Sequence, residues 1–512
     1  MSEPSLAPAH LAALRERLRT LDFTVTGVQA LLGDRASAAL QRNETGAGVL
    51  ATEGGGPLAV LVRLWLLQRP VPATALEEAL PDLVPALADA GIVAVDGEEV
   101  RALVDVRPHA DSSEDGDRDY WVLSDLTPGL DGRPGAVPAD HVLGISPACT
   151  SLVQQVVRAP VGSALDLGTG CGVQSLHLAA HADRVVATDV TGRSLALAGL
   201  TATLNEIDVD LRDGGFFAPV AGERFDLVVT NPPFVISPPT DTADLLVYRD
   251  SGLPGDAAVE RIVREVAGFL NPGGWCQVLA NWVIPADGAW EERITSWLEP
   301  TGLSAWVVQR EVLDPAQYVE LWLKDSGHHP STGGDVDDYE RRHASWLRWL
   351  DDQGVGSIGF GWLNLRRPDA GEPVVRRVEG WHHDVEQPIG PEVAAWHARA
   401  VALARLDDHA LLEQRLVLAP DVVQETHGPP GAEDPETIVL RQQRWMRRAR
   451  AVDTVLAGLA GACDGDLTVG QVLEALAQLL EQDPEQVVAA YLPQVRDLVA
   501  ERYLDLSAAS AH

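Results

Sequence analysis

Several features that mark specialised protein classes are rare or missing in this chain of 512 residues. It has four cysteines, and no two of them have the close spacing of a zinc knuckle, so neither a disulfide framework nor a metal site is expected. No run of about 18 apolar residues is present to span a bilayer. The N-terminus lacks the basic segment and apolar stretch of a secretory signal. We therefore expect a cytoplasmic protein with no membrane or metal partner.

Positive charge is scarce as well. The 39 basic residues stand against 75 acidic ones, which gives a formal net charge of −36, and Lys324 is the only lysine. A field of that sign repels nucleic acid unless basic groups collect on one face. The best candidate for such a face is RQQRWMRRAR at 441–450, within a helix predicted over 439–461. We favour a solvated helix surface held by acidic neighbours for these arginines, and RNA contact is the alternative.

The length predicts about three domains, which we place at residues 1–125, 126–370 and 371–512. In the first, apolar helices are followed by two β-rich runs, the order of a winged-helix module. Its third helix, at 81–91, carries two aspartates and no cation, so packing or substrate positioning is favoured over DNA binding. Helical patterns at the other end of the chain predict a second winged-helix-like module.

From residue 163 onwards, strand patterns alternate with helical ones. Regular alternation of this kind indicates a mainly parallel sheet that is covered by helices on both faces. The fold class is therefore α/β, with a doubly wound, seven-stranded, Rossmann-like sheet. The seven strand patterns are SALDLG, RVVATDV, IDVDLR, FDLVVTN, WCQVLANW, SAWVVQREV and IGFGWLNLRR.

A glycine-rich turn follows the first of these strands. The run Asp166-Leu167-Gly168-Thr169-Gly170-Cys171-Gly172 closes the strand and opens a helix, where missing side chains let a ligand lie against backbone N–H groups. Asp189 ends the second strand about 20 residues further on, where a carboxylate can accept hydrogen bonds from both ribose hydroxyls. An ordinary tight turn or NAD binding are the alternatives, and the G-x-G-x-G spacing weighs against NAD. The pattern predicts a nucleoside cofactor.

The motif Asn231-Pro232-Pro233-Phe234 directly follows the fourth strand. Two consecutive prolines remove two N–H donors, so the carbonyls of this turn have no competing local partner. The Asn231 side-chain oxygen and a proline carbonyl could then accept both hydrogens of an NH₂ group. The Phe234 ring offers a flat face on which a planar amide or base can stack. The motif therefore indicates a site for a planar nitrogen.

The stretch from Ala164 to Phe234 resembles the class I methyltransferases of the methyltransferase small domain group, which includes release-factor glutamine methyltransferases and ribosomal RNA guanine N2-methyltransferases. NPPF after FDLVV is the most specific part of the likeness. The resemblance implies a methyltransferase sheet and S-adenosyl-L-methionine as cofactor. It implies that Asp166, Gly168, Thr169 and Gly170 line the methionine part, that Asp189 holds the ribose, and that Asn231, Pro232, Pro233 and Phe234 orient the target nitrogen beside the cofactor.

One position departs from the pattern of those enzymes. They often carry an acidic residue just before a hydrophobic pair after the third strand, where it meets the adenine amine. This chain reads Asp213-Gly214-Gly215-Phe216-Phe217, so Asp213 would take that role from a shifted position.

Two polar segments predict loops. Residues 107–118, RPHADSSEDGDR, are acidic and without periodicity, so we expect an irregular loop there. YRDSGLPGD at 248–256 follows the NPPF motif, where a loop could close over substrate. Arg249 and Asp250 are candidates for substrate contact, and an exposed ion pair beside a Gly-Pro turn is the alternative.

Four functions fit these patterns. The first is methylation of a protein glutamine amide, which the net acidity favours. The second is a ribosomal RNA base methyltransferase acting on guanine N2 or adenine N6, with the arginine tract near the phosphates. A small-molecule N-methyltransferase would leave two large accessory domains without a purpose. A non-catalytic scaffold is disfavoured because the glycine turn, Asp189 and the NPPF motif are all intact.

Overall fold

The computed structural model describes residues 3–113, 116–132, 137–238, 246–250, 252–430 and 435–507. These residues belong to two compact units, and each unit is described by itself. The first consists of Met1–Val153, Arg158–Gly302 and Val307–Arg367, and the second of Gln154–Val157, Leu303–Trp306 and Pro368–His512. Among the described residues, no helix is long and apolar enough to cross a membrane.

Short helices and a small sheet open the first unit. The helices are Pro8–Thr20 (α1), Val25–Leu40 (α2), Gly46–Ala51 (α3), Pro57–Leu61 (α4), Ala73–Ala79 (α5) and Val84–Asp89 (α6). The strands are Val71–Pro72 (β1), Val93–Asp96 (β2) and Glu99–Ala102 (β3), which pair antiparallel in the order β1-β3-β2.

A long hairpin follows, formed by Val104–Ser113 (β4) and Gly116–Asp125 (β5). The prediction of an irregular loop over 107–118 is therefore wrong, except that residues 114–115 lie outside the described residues. The half of the hairpin that lies away from its turn buries apolar side chains such as Val106. The half next to the turn is held by polar contacts, since Asp111 accepts hydrogen bonds from Arg158 at 2.9 and 3.0 Å. Contacts of this kind leave no apolar period in the sequence.

The predicted α/β sheet is confirmed, and its strand order is β13-β11-β12-β10-β9-β6-β7-β8. Parallel pairing joins β6 to β7 and β9, β7 to β8, and β9 to β10, whereas β12 runs antiparallel to β10. The strands are Ala164–Leu167 (β6), Val185–Asp189 (β7), Asp210–Asp213 (β8), Phe225–Thr230 (β9), Leu270–Pro285 (β10), Ser304–Leu313 (β11), Val355–Arg366 (β12) and Arg376–Gly380 (β13). The helices are Pro147–Gln155 (α7), Val173–Leu178 (α8), Gly192–Leu204 (α9), Ala257–Glu265 (α10), Trp290–Leu298 (α11), Pro315–Asp325 (α12) and Val336–Asp352 (α13).

This sheet has eight strands, so the predicted number of seven is wrong by one. The extra strand, β13, lies at the edge of the sheet and beyond residue 370, where the predicted catalytic domain ends. Its sequence, RRVEG, contains one apolar side chain, and all four of its side chains are half-buried. A short polar edge strand has no alternating apolar pattern by which it could be recognised.

The N-terminal segment packs on α9 through a continuous hydrophobic core and buried polar contacts. Arg193, in the first turn of α9, forms an ion pair with Asp125 in which both side chains are 5% exposed. Its Nε donates to the two carboxylate oxygens at 3.1 and 3.0 Å. At the other end of α9, the Asn205 amide bonds to both the N–H and the carbonyl of Trp121. The residues that precede the large sheet are therefore fixed to the helix after β7.

Two helices, α12 and α13, lie between β11 and β12 in sequence and pack together. They form a separate hydrophobic cluster with residues that follow β9. Tyr318 and Leu350 are fully buried in this cluster, together with Ile236. This helical pair therefore forms the packing behind the NPPF turn.

The described part of the second unit contains five helices and two further three-stranded sheets, with orders β18-β14-β19 and β15-β16-β17. The helices are Gly390–Ala404 (α14), Asp408–Leu412 (α15), Thr454–Ala462 (α16), Val469–Leu479 (α17) and Pro484–Ala500 (α18). The strands are Arg415–Leu418 (β14), Val422–His427 (β15), Thr437–Gln442 (β16), Ala449–Val452 (β17), Asp464–Thr468 (β18) and Leu504–Leu506 (β19).

The arginine tract at 441–450 is not helical. It runs from the end of β16 through a turn into β17, so the predicted helix over 439–461 is wrong except for the part that forms α16. Four of its five arginines nevertheless form ion pairs with acidic neighbours, and this part of the prediction is confirmed. Arg441 lies 2.7 Å from Glu425, and Arg448 lies 2.6 Å from Glu379. These guanidinium groups are therefore neutralised within their own unit.

We predict that Asp125→Ala destabilises the first unit by about 3–5 kcal/mol, because it leaves the Arg193 guanidinium buried without its partner. The loss should appear as a lower midpoint in urea unfolding. A suitable control is Asp210→Ala, which removes the partner of Arg212 at a site where the aspartate side chain is 46% exposed. That change should cost less than about 1 kcal/mol. Equal losses in the two variants would contradict the importance of the buried pair.

Candidate active site

The glycine turn lies at the carboxyl end of β6. Gly168, Gly170 and Gly172 have φ angles of +76°, +54° and +83°, which L-residues with side chains rarely adopt. A Cβ at Gly168 or Gly170 would meet no atom within 4 Å, whereas one at Gly172 would lie 3.2 Å from Cα of Ala198. The first two glycines therefore border open space, and the third allows α9 to approach.

The backbone N–H groups of this turn are already used within the protein. Gly168 and Thr169 both donate to the carbonyl of Thr188 at 2.9 Å, and Gly170 donates to the Asp189 carboxylate at 3.0 Å. Three of the N–H groups that a ligand was expected to lie against, those of Gly168, Thr169 and Gly170, therefore already have acceptors within the protein. What the turn offers to a ligand is space next to the strand ends.

The Asp166 carboxylate holds the glycine turn in place through hydrogen bonds. Its side chain is 1% exposed and accepts hydrogen bonds from the hydroxyls of Thr169 at 2.6 Å and Ser175 at 2.7 Å. Burial raises the pKa of this carboxyl to about 6, against the opposing effect of the two hydroxyls. The direct contacts of Asp166 are with the glycine turn and the helix that follows it.

Asp189 and Asp213 lie side by side at the ends of β7 and β8, where they are register partners. Asp189 is half-buried and also accepts the N–H of Thr191 at 3.1 Å. Each carboxylate oxygen has a second lone pair, so these bonds leave acceptor capacity for hydroxyl groups. Asp213 is exposed, and the nearby Phe216 ring lies 4.2 Å from the Arg261 guanidinium carbon. Asp189 and Asp213 thus end two adjacent parallel strands, and Asp166 lies one residue before the end of the neighbouring strand β6.

The NPPF turn begins where β9 ends, beside the glycine turn. Thr230, the last residue of β9, donates its hydroxyl to the Leu167 carbonyl at 2.7 Å, which ties the two turns together. The side-chain oxygen of Asn231 is shielded from solvent and accepts no hydrogen bond from any described residue. The Phe234 ring meets Trp322 edge to face at 6.2 Å between centroids. A buried acceptor without a donor is costly, which makes Asn231 the most informative residue of the site.

Two aromatic residues that sequence reasoning missed hold the backbone just after the motif. Ile236 donates its N–H to the Tyr318 hydroxyl at 2.7 Å, and its carbonyl accepts the indole N–H of Trp346 at 3.1 Å. Asn281, on β10, also donates to the Tyr318 hydroxyl at 2.9 Å. Aromatic residues on amphipathic helices read as ordinary core in a sequence, so no local pattern marks this role.

Arg249 and Asp250 fix the chain that returns to this turn. Arg249 is 8% exposed, donates to the Trp322 carbonyl at 2.8 Å and accepts the N–H of Val235 on its own carbonyl at 2.9 Å. Its Nε lies 3.3 Å from the Asp250 carboxylate. The alternative of an exposed ion pair is therefore wrong, because this pair is buried. Residue 251 of the predicted loop lies outside the described residues.

Comparison with known proteins identifies the segment that carries both turns. Residues 144–299 match the methyltransferase small domain family. The resemblance predicted from the glycine turn and NPPF is confirmed for this segment. Residues 20–103 match a domain of unknown function, DUF7059.

Curated relatives share only part of the chain. A release factor glutamine methyltransferase from Xylella fastidiosa (strain 9a5c) is 30% identical over 176 residues, which cover 33% of this chain and 62% of that protein. The ribosomal RNA small subunit methyltransferase C of Salmonella arizonae is 29% identical over 154 residues, covering 30% of this chain and 40% of that protein. The chain thus spans about two fifths to three fifths of the length of these relatives.

Among solved structures, the ribosomal protein L11 methylase of Lactobacillus delbrueckii subsp. bulgaricus aligns with a TM-score of 0.25 at 15% identity, over 43% of this chain and 77% of its own.

We predict that Tyr318→Phe loosens the NPPF turn without unfolding the unit. The change removes only the hydroxyl and leaves the buried N–H of Ile236 without an acceptor, so exchange of that amide should become about tenfold faster or more. Hydrogen exchange of the peptide that contains Ile236, read by mass spectrometry, measures this. Tyr339→Phe on α13 of the same helical pair is the control and should change nothing there. Unchanged exchange in Tyr318→Phe would show that the hydroxyl does not hold the turn.

Proposed function

We propose that this protein is an S-adenosyl-L-methionine-dependent N-methyltransferase whose acceptor is a planar NH₂ group, the side-chain amide of a protein glutamine. The observation that carries the proposal is the unpartnered, buried oxygen of Asn231 at the end of β9. An NH₂ group placed there would supply the missing donor. The match of residues 144–299 to a methyltransferase family and the names of the relatives support the same chemistry.

The open space over Gly168 and Gly170 fits the methionine part of the cofactor, because even a Cβ at either position would point into it. Asp189 has acceptor capacity left for the ribose hydroxyls, and Asp213 lies next to it for the adenine amine. Asp166 would act on the cofactor through the turn that it supports. When bound, the cofactor supplies a methyl group on a positively charged sulfur. In this proposal no metal takes part.

The residues of the NPPF turn would position the nitrogen. Asn231 and a proline carbonyl accept the two NH₂ hydrogens, which leaves the nitrogen lone pair directed away from the turn and towards the methyl group. Phe234, which is half-buried against Trp322, offers a face for the planar amide. Both acceptors would also stabilise the positive charge that develops on the nitrogen as its bond to the methyl carbon forms and the sulfur–methyl bond breaks. The nitrogen would then become neutral by losing one N–H proton to solvent. Catalysis is then mainly positioning and electrostatic stabilisation.

A protein substrate is favoured over RNA by charge. The net charge is −36, and four of the five arginines of the best basic tract form ion pairs with carboxylates of their own unit. An RNA base substrate, guanine N2 or adenine N6, is the second candidate, because one relative is named as a ribosomal RNA methyltransferase. A small-molecule amine is the third.

The order of helices and strands suggests what the parts of the chain outside the candidate active site do. We propose three domains, 1–125, 126–370 and 371–512, in a cytoplasmic protein. The helices α4 to α6 with the sheet β1-β3-β2 support a winged-helix-like N-terminal module. The helices α17 and α18 beside the sheet β18-β14-β19 support a similar C-terminal module. Both would serve to hold the substrate macromolecule.

We expect the purified protein to transfer a tritiated methyl group from S-adenosylmethionine into a macromolecule of an extract from its source cells. Splitting the labelled extract with protease and with nuclease identifies the substrate class. Label that protease releases supports the glutamine substrate, and mass spectrometry of the labelled protein then locates the site. Label that nuclease releases would replace the glutamine assignment with an RNA base. Label that passes a size filter untouched by both enzymes would indicate a small molecule.

A further inference from the structure

The second unit contains a groove that the proposed methyl transfer does not use. It lies between α15, the first half of α17 and the first two thirds of α18, and encloses about 640 Å³. All its lining residues fall between Asp408 and Pro493, so it is formed within one unit.

The floor of the groove is apolar. Leu412, Val488 and Leu492 line it, and the two α18 residues are four apart on one helical face. Gly470 lets the backbone of α17 approach α15, since a Cβ there would lie 3.3 Å from the Leu412 carbonyl oxygen. An apolar floor between helices is the form of site that receives the apolar face of another helix.

The rim of the groove is acidic. Asp408, Glu413, Glu474 and Glu485 line it, and the lining contains no arginine, lysine or histidine. Asp408 is paired with Arg496 at 3.0 Å. The other three carboxylates are exposed, and none forms an ion pair with a described residue. Glu485 also compensates the dipole of α18 in its first turn, but Glu413 and Glu474 lie outside a first helical turn and have no such role.

The uncharged polar groups of the groove add acceptors and few free donors. Pro493 has no N–H, so the carbonyl of Ala489, which lines the groove, lacks its usual helical donor. Thr468 and Gln471 also line the groove, but their side chains are engaged with each other's backbone in a capping box. A ligand that satisfies this surface must therefore bring donors and positive charge together with apolar side chains.

We propose that this groove binds a basic, amphipathic helical segment of a partner protein. The apolar face of the segment packs on Leu412, Val488 and Leu492, and its cationic side chains pair with the rim glutamates. A nucleic acid brings charge of the wrong sign, and a second copy of this chain brings a net charge of −36 of its own. The binding needs neither the cofactor nor the NPPF turn, so it stands or falls separately from the proposed methyl transfer.

The test uses the full chain and a fluorescent peptide of about 15 residues in which leucine and lysine follow an amphipathic helical pattern. Anisotropy at about 0.15 M salt should show saturable binding of this peptide. A peptide with glutamate at every lysine position should not bind. The triple variant Glu413→Gln, Glu474→Gln and Glu485→Gln should weaken binding about tenfold, since each exposed pair contributes modestly. Ala489→Arg, at an exposed lining position of α18, should weaken it at least as much.

The matched control neutralises three exposed glutamates of the first unit, Glu98→Gln, Glu99→Gln and Glu292→Gln. This variant has the same net charge as the groove variant and should bind the peptide with unchanged affinity. Equal weakening in both triple variants would overturn the proposal, because the peptide would then follow only the net charge. Absence of binding, or equal binding of the acidic peptide, would overturn it as well. So would a dimer in sedimentation that Ala489→Arg dissociates, since a second copy would then fill the groove.

Discussion

The parallel pairing of β6 with both β7 and β9 is the constraint on which the candidate site depends. Because parallel strands end at the same edge, this pairing brings the glycine turn, Asp189 and the NPPF turn together although they lie far apart in sequence. Two hydrogen bonds then fix the turns to one another, from Gly170 to Asp189 and from Thr230 to Leu167. The Asn231 oxygen lies directly after β9 at this junction, and it has no donor among the described residues.

The parts of the site that could be predicted from the sequence are those encoded locally. Glycines with positive φ and two consecutive prolines act through their own backbones, so Gly168, Gly170 and the NPPF turn were recognisable in isolation. The parts that escaped prediction depend on partners distant in sequence. Tyr318 holds Ile236 across 82 residues. The hydrogen bonds of the N–H groups of Gly168 and Thr169 in the glycine turn escaped prediction for the same reason, because their acceptor lies on the neighbouring strand β7.

The fold shows the same division. Apolar strands such as β7 and β9, buried on both faces of the sheet, were predicted because burial imposes a composition. The part of the β4–β5 hairpin within 107–118 was missed, because polar contacts such as the pair of Asp111 with Arg158 hold it in place of an apolar period. The edge strand β13, RRVEG, and the strands of the arginine tract, RQQRWMRRAR, were missed as well, and both sequences are rich in charged residues. The chain has 39 basic and 75 acidic residues, so even if every basic side chain formed an ion pair, many carboxylates would have no basic partner.

The kinetics of Asn231→Ala show most directly whether the Asn231 oxygen accepts the target NH₂ group. We expect turnover with the identified substrate to fall about a hundredfold, equivalent to roughly 3 kcal/mol of barrier, while cofactor affinity stays within a few-fold of the native value. Asp189→Ala should show the opposite split, with weak cofactor binding as its main defect. Normal turnover in Asn231→Ala would show that the Asn231 oxygen does not position the acceptor nitrogen.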